Sequence, residues 1–147
     1  MKLATKATYR ALNTYTKLMR AAESVTSRVH RVLAEPKLTI SQFGVLEALY
    51  HKGPLCQRDI ASKILKSTGN ITLVIDNLEK QNLVRRERDN EDRRYLTVHL
   101  TETGIALIAR VFADVEAEIV KEMSSLDENE QELFGILCKK LGMKGGS

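Results

Sequence analysis

The chain has 147 residues, of which 43% are hydrophobic and 29% are charged. This length predicts a single domain with enough apolar surface to fold without disulfides or metals. Its apolar runs are only a few residues long, which excludes a membrane-spanning helix. Two widely separated cysteines and no signal peptide predict a cytoplasmic protein with reduced thiols.

The net charge of +4 is unevenly distributed along the chain. Residues 1–51 carry eight Lys or Arg against three Asp or Glu, and residues 52–100 carry ten against seven. Residues 101–147 carry five against nine and are therefore acidic. This asymmetry indicates one face for a polyanion such as nucleic acid and another face for a different task.

Residues 8–33 predict one long amphipathic helix. They contain no Gly or Pro, and apolar residues recur among them at alternating steps of three and four. Pro36 closes the segment because it has no backbone N–H to donate. A helix of this length is long for so small a domain, so part of its apolar stripe is expected to face another chain. The alternative is that the whole stripe is buried within its own chain.

Three shorter helices are predicted next, and a tight turn joins the last two. The first has the capping-box pair Thr39 and Gln42 before it, and it ends at Gly53, expected as a left-handed cap. A further helix over residues 57–66 and another over about 67–80 follow. The last places Ile71, Val74, Ile75 and Leu78 on one face and small, polar and basic residues on the other. This pattern is typical of a helix-turn-helix whose outer face fits a groove of DNA.

A basic hairpin follows the last of these helices. Asn82 is expected to take the left-handed cap conformation. Residues 83–88 and 95–100 predict two strands, and the turn-forming, charged residues 89–94 between them should project into solvent as a wing. Thr101 should then cap a helix that runs to about residue 124, and a last helix should run from residue 127 to residue 142.

Several short segments carry a recognisable pattern in their order and spacing. They are Ser41-Gln42-Phe43-Gly44-Val45-Leu46, Lys52-Gly53-Pro54-Leu55, Thr72, Leu78-Glu79-Lys80, Leu83-Val84-Arg85-Arg86, Asp92-Arg93-Arg94 and Leu100-Thr101-Glu102-Thr103-Gly104. Over nearly its whole length the chain therefore resembles the MarR family of bacterial winged helix-turn-helix regulators. The fold class expected is mainly α with a small β-hairpin wing (α+β).

The resemblance implies one MarR-like domain over residues 1–147, with a DNA-binding region at 37–101 and a helical dimerisation region at 1–36 and 102–142. It implies a homodimer that binds double-stranded DNA at an inverted repeat without a cofactor or metal. The expected function is that of a repressor released by a small apolar or phenolic effector.

The predicted DNA-binding residues lie on the recognition helix and the wing. Hydroxyl and amide groups near the helix start can reach base edges or phosphates, and an apolar side chain on the outer face can contact a thymine methyl. The resemblance implies that Arg94 enters the minor groove while Asp92 pairs with an arginine and orients the wing. Because a strand alternates its faces, Arg85 and Arg86 cannot both point at DNA. The predicted set is Ser67, Thr68, Asn70, Thr72, Leu73, Lys80, Arg86, Arg93 and Arg94.

Effector control has two candidate locations. A pocket between the dimerisation helices and the DNA-reading module, which spans residues 55–100, would have apolar and polar walls formed by Tyr15, Met19, His30, Phe43 and Tyr50. Alternatively, Cys56 stands where the family often has a Ser or Thr cap, and near a helix start it could act as a thiol redox switch. A protein-binding module is a further alternative. The three histidines have no metal-ligand spacing, and with no phosphate loop or nucleophile elbow an enzyme is not expected.

Overall fold

The computed structural model describes residues 5–64 and 68–143, with the backbone alone at positions 68 and 69. Within these ranges the chain is mainly helical with one small antiparallel sheet, as the sequence predicts. The elements are α1 (Lys6–His30), a 3-10 turn (Arg31–Leu33), α2 (Ile40–Lys52), β1 (Leu55–Cys56), α3 (Gln57–Ile64), α4 (Thr68–Lys80), β2 (Val84–Arg88), β3 (Leu96–Leu100), α5 (Glu102–Met123) and α6 (Glu128–Gly142).

The helix starts are fixed by side-chain caps where the sequence predicts them. The Thr39 hydroxyl accepts from the Gln42 backbone N–H, and the Gln42 side chain accepts in return from the Thr39 N–H. Thr101 caps α5 by accepting from the Gly104 N–H, and Asp127 begins α6 with a second reciprocal box. Each cap satisfies a backbone donor that the first helical turn leaves without a partner.

Three details differ from the expectation. The first helix changes to a 3-10 turn at Arg31 instead of continuing as α-helix to Leu33. Gly53 has the expected positive φ of 80°, but its ψ of −168° is extended rather than left-handed helical, because the chain leads directly into β1. That strand was not expected. By contrast, Asn82 has the predicted left-handed backbone, with φ at 59°.

The sheet has the strand order β1-β3-β2, and both pairings are antiparallel. Leu55 of β1 pairs with Val98 of β3, and Arg86 of β2 pairs with the same residue from the other side. Val98 is completely buried. The short β1 therefore ties the start of α3 to the wing, so that the helix-turn-helix and the hairpin share one sheet.

The core lies beneath the helix-turn-helix and extends along α5. Its completely buried members are Val45, Leu46, Ile60, Ile71, Ile75, Leu78, Val98 and Ile108. Burying each such side chain stabilises the fold by about 1.5–3 kcal/mol relative to leaving it exposed. Neither α1 nor α6 has a buried residue, although every position in both helices is described.

Two ion pairs connect α5 to the N-terminal part of the chain. Arg28 of α1 pairs with Glu122, and Glu35, which follows the 3-10 turn, pairs with Arg110. In the described part of the chain, no helix is long and apolar enough to cross a membrane.

Candidate nucleic-acid interface

The recognition helix α4 is held by its apolar face, as the sequence predicts. Ile71, Ile75 and Leu78 are completely buried in the core, and Val74 is half-buried. On the outer side, Leu73 leaves 63% of its surface exposed. Asn70, Thr72, Asn77 and Lys80 are exposed as well. The core therefore fixes the rotation of α4, and the helix presents a mixed polar and apolar face to solvent.

The outer face of α4 is also connected to α3. The Gln57 side chain at the start of α3 donates from Nε2 to the Thr72 hydroxyl over 3.1 Å. Among the predicted contacts, Thr68 begins α4, and Ser67 lies outside the described residues. Gln57 was not predicted as part of the site, because its partner is fifteen positions away and no local signal links the two.

The wing loop between β2 and β3 is held together by its own backbone. The Asp89 N–H donates to the Tyr95 carbonyl over 3.0 Å, and the Tyr95 N–H donates to the Asp92 carbonyl over 3.1 Å. Arg88 donates from Nη1 to the Arg93 carbonyl over 2.8 Å. The loop thus has a defined shape, and its tip carries the side chains of Arg93 and Arg94 into solvent.

Asp92 pairs with Arg94 across the tip of the wing. Arg94 donates from Nε to Oδ1 over 3.0 Å and from Nη2 to Oδ2 over 2.8 Å, and its backbone N–H donates to Oδ1 over 3.1 Å. The side-chain bond from Arg94, followed by its backbone bond, lowers the pKa of Asp92, and the same side-chain bond raises the pKa of Arg94. The Arg94 side chain remains 87% exposed. Asp92 therefore orients an arginine that is still available to a partner.

Arg86 points towards α4 and not towards solvent. Its side chain is only 16% exposed and forms ion pairs with Asp76 over 2.7 Å and with Glu79 over 3.0 Å. Its Nε donates to Gln57 Oε1 over 2.8 Å. Carboxylates on the recognition helix thus bind the same guanidinium that the sequence predicts at a phosphate.

Arg85, the neighbour of Arg86, lies on the opposite face of the strand. It is 52% exposed and donates from Nε to Glu87 over 2.7 Å. That bond is the main cause of a lowered Glu87 pKa, and the charge of His99 contributes less. The two arginines thus separate as strand alternation requires: one faces the recognition helix and the other faces solvent.

The two tyrosines of the predicted effector pocket line different cavities in the part of the chain that the structure describes. Tyr15 lines a groove of about 440 Å³ between α1 and α6, whereas Tyr50 lines a cavity of about 350 Å³ beside His99 and Pro54. Met19 is exposed, and His30 and Phe43 are half-buried. Both cysteines are free; Cys56 is half-buried and Cys138 is exposed. The effector site and the redox role stay predictions.

A helix-turn-helix with a buried inner face, followed by an arginine-rich hairpin, defines a winged-helix DNA-binding protein. The sequence model that defines the MarR family matches residues 38–96 of the chain. The chain is also 36% identical over 136 residues to the HTH-type transcriptional regulator MhqR of Bacillus subtilis, a match that covers 92% of this chain and 94% of that protein. The chain therefore belongs to the MarR family. It is a DNA-binding transcriptional regulator and not an enzyme.

Solved structures agree with this assignment. MepR of S. aureus, determined in complex with DNA, has a TM-score of 0.80 and 25% identity, covering 88% of this chain and 97% of that one. BpsR of Bordetella bronchiseptica, whose DNA binding is regulated by 6-hydroxynicotinic acid, has a TM-score of 0.77 and 26% identity, covering 86% and 91%. The expected family and fold are thereby confirmed.

Proposed function

We propose that the chain is a homodimeric repressor that binds an inverted-repeat operator and is released by a small molecule. The observation that carries the proposal is the apolar surface left open along the two terminal helices. Its members are Tyr9, Leu12, Tyr15, Met19, Leu133, Phe134, Ile136, Leu137 and Leu141, each at least 42% exposed. Exposed apolar side chains in such number along two helices indicate an interaction site.

A second copy of the same chain is the occupant proposed for this surface. Residues 1–36 and 102–142 would form the dimerisation region, and residues 37–101 would bind DNA. A two-fold dimer buries the same patch on both copies. Two recognition helices held at a fixed distance then read two half-sites about one helical turn apart, which gives an inverted repeat.

Within each half-site, α4 would enter the major groove and the wing would follow the minor groove. Thr68, Asn70 and Thr72 would meet base edges or phosphates, Leu73 would meet a thymine methyl, and Lys80 would meet a phosphate. Arg94 would enter the minor groove beside Arg93, since a narrow A·T-rich groove concentrates negative potential. The likeness to MepR in its DNA complex supports this orientation.

Selection of bound fragments from a random pool of duplex DNA tests the operator directly. We expect enrichment of an inverted repeat whose half-site centres are about 10–10.5 base pairs apart. A pool depleted of inverted repeats, or enriched in single half-sites, would reject the dimeric operator. Mass measurement of the bound complex by light scattering should give two chains per duplex.

Release by an effector is proposed on the precedent of BpsR. A ligand weakens DNA binding only if it binds the free protein more tightly than the DNA complex. By linkage, DNA must then weaken ligand binding by the same factor. Titration of simple phenols with and without operator tests this reciprocity, and the variants Tyr15→Ala and Tyr50→Ala separate the two cavities. Equal phenol affinity in both titrations would contradict release.

Thiol oxidation at Cys56 is a second candidate for control. The residue lines a cavity of about 390 Å³ with Gln57 and Tyr95, and it directly precedes the glutamine that holds Thr72. Oxidation there would disturb the recognition helix without a separate ligand. Peroxide should then weaken operator binding by the parent protein and leave Cys56→Ser unaffected. Equal responses of the two proteins would reject the redox switch.

A further inference from the structure

The Arg86 guanidinium lies at the point where three elements of the reading module meet. From strand β2 it reaches Asp76 and Glu79 on α4, over 2.7 and 3.0 Å, and Gln57 on α3, over 2.8 Å. Its backbone N–H also donates to Glu79 Oε2 over 3.1 Å. Only 16% of its side chain is exposed, compared with 87% for Arg94 at the tip of the wing.

These contacts fix the angle between α4 and β2 as well as the distance between them. Asp76 and Glu79 are three positions apart and therefore lie on one face of α4. A guanidinium is planar, with donors in fixed directions, so it holds two carboxylates and an amide only in one relative orientation. Arg86 therefore ties the inclination of the recognition helix to the strand that carries the wing.

The contacts of Arg86 also reach Thr72, which is proposed to contact the operator. Gln57 accepts from Arg86 through Oε1 and donates through Nε2 to the Thr72 hydroxyl over 3.1 Å. The bond from Arg86 identifies which end of the amide is the oxygen, and thereby which end donates to Thr72. Arg86 also donates from Nη2 towards the Thr72 carbonyl over 3.4 Å. The orientation of Thr72 thus depends on an arginine fourteen positions along the chain.

We propose that Arg86 is a positioning residue for operator recognition and makes no phosphate contact. It sets the recognition helix against the wing through Asp76 and Glu79, and it orients Thr72 through Gln57. The inference rests on the proposed operator contacts of Thr72 and Arg94. Loss of Arg86 then costs selectivity for the operator more than it costs general attraction to DNA.

Salt dependence separates positioning from phosphate contact. Each phosphate neutralised by a protein cation releases counterions, which contributes about −0.9 to the slope of log affinity against log salt concentration. A variant that loses a phosphate contact therefore has a shallower slope. A variant that loses only positioning keeps the slope of the parent and loses discrimination between operator and scrambled duplex.

The first test uses Arg86→Lys and Arg86→Met, with Arg85→Lys and Arg85→Met as controls on the opposite face of the strand. Lysine keeps the charge but not the planar fork. Both Arg86 variants should lose roughly tenfold in the operator-to-scrambled affinity ratio, the scale of one good base contact, and Arg86→Lys should keep the salt slope. If Arg86→Lys retained the affinity and selectivity of the parent while Arg86→Met had the shallower slope, Arg86 would be a phosphate contact.

The second test removes the carboxylates that bind Arg86. Its outcome depends on whether operator binding becomes weaker or tighter. Asp76→Asn and Glu79→Gln each delete a negative charge near a polyanion, which by electrostatics alone tightens DNA binding. The positioning role predicts weaker operator binding and lower selectivity for both variants. Glu91→Gln, which neutralises an exposed carboxylate of the wing, should bind as tightly as the parent or more tightly. Tighter operator binding by all three variants would overturn the proposal.

Thermal unfolding of every variant shows whether it is folded. If the Arg86 variants are unfolded, Asp76→Asn and Glu79→Gln decide whether Arg86 is a positioning residue. The parent protein and Arg94→Ala are titrated in parallel. A parent that does not discriminate operator from scrambled DNA would reject the proposed operator function together with this inference. A selective parent whose Arg86→Lys, Asp76→Asn and Glu79→Gln variants stay equally selective would reject the positioning role alone.

Discussion

The Asp92–Arg94 pair determines how the wing presents its arginine. Two bonds from the guanidinium and one from the backbone N–H hold the Asp92 carboxylate, yet the Arg94 side chain is almost fully exposed. Such a pair restricts the rotamers of a long side chain without covering it. The conformational entropy that Arg94 would lose on binding is therefore partly lost already in the free protein.

Replacement of Arg94 should reveal its role through both affinity and salt dependence. Arg94→Ala should weaken operator binding by about tenfold or more and reduce the salt slope by about one. Arg94→Lys should restore the slope but only part of the affinity, since lysine lacks the planar fork. Fluorescence anisotropy titrations at several salt concentrations measure both quantities. Binding by Arg94→Ala equal to that of the parent at moderate salt would exclude the minor-groove role.

The pH dependence of the wing follows from the lowered pKa of Asp92. Since the folded-state pKa lies below the ordinary value of about 3.9, the pair stabilises the wing fully above that value. This contribution is lost as the pH falls through the lowered pKa. Carbon-detected NMR of the Asp92 carboxyl should give a depressed midpoint in the parent and a midpoint nearer the ordinary value in Arg94→Ala. An unchanged midpoint in the variant would show that Arg94 is not the cause.

Leu73 allows a test at the level of one methyl group. If it meets a thymine methyl, replacing that thymine by uracil should weaken binding by the parent about fourfold, from the roughly 0.8 kcal/mol expected for one buried methyl group. Leu73→Ala should show a similar loss on the thymine operator and little further loss on the uracil operator. Additive losses in this double-mutant cycle would place the methyl contact elsewhere.

At the scale of the elements, features with local causes could be predicted from the sequence. Thr39, Thr101 and Asp127 cap their helices as expected because a capping side chain acts within three residues of its own position. Asn82 takes its left-handed backbone because asparagine tolerates that region better than most residues. In each case the residue type and its nearest neighbours contain the whole physical cause.

Features that depend on distant partners could not be predicted in this way. The two-residue strand at Leu55 exists only because β3, forty residues later, offers it an unpaired edge. Arg86 was expected at a phosphate because a basic strand beside a recognition helix indicates DNA. Its enclosure by Asp76 and Glu79 depends on the packing of β2 against α4. Strand alternation required only that Arg85 and Arg86 point to opposite sides.

The junction of α5 with the wing depends on one glycine. A Cβ at Gly104 would lie 2.0 Å from the Leu83 carbonyl oxygen, which accepts the Thr101 N–H over 3.1 Å. Gly104→Ala should therefore destabilise the protein by about 1–3 kcal/mol, measured by urea denaturation. Gly135→Ala is the control, because a Cβ there meets nothing within 4 Å. Equal stabilities of the two variants would show that the backbone at Gly104 yields without cost.

At the scale of the whole molecule, the buried core and the open apolar surface lie in different regions. The 3-10 turn, the DNA-binding region over residues 37–101 and α5 contain the buried side chains, whereas α1 and α6 leave their apolar stripes in solvent. A single protomer therefore gains little hydrophobic stabilisation from its two terminal helices. In a dimer these stripes would be covered, and the stability of the protein would then depend on its concentration.

An acidic residue in the middle of this open surface should dissociate the proposed dimer and abolish operator binding. Leu137→Asp places a charge where the proposed second copy would bury an apolar side chain that is 52% exposed in the single chain. Light scattering should give one chain per particle, and operator affinity should fall by orders of magnitude because one half-site contributes only part of the binding energy. Leu73→Asp is the matched control: it puts the same charge on the recognition helix, so it should impair DNA binding and remain dimeric. A dimeric Leu137→Asp, or a monomeric parent, would place the partner of these helices elsewhere.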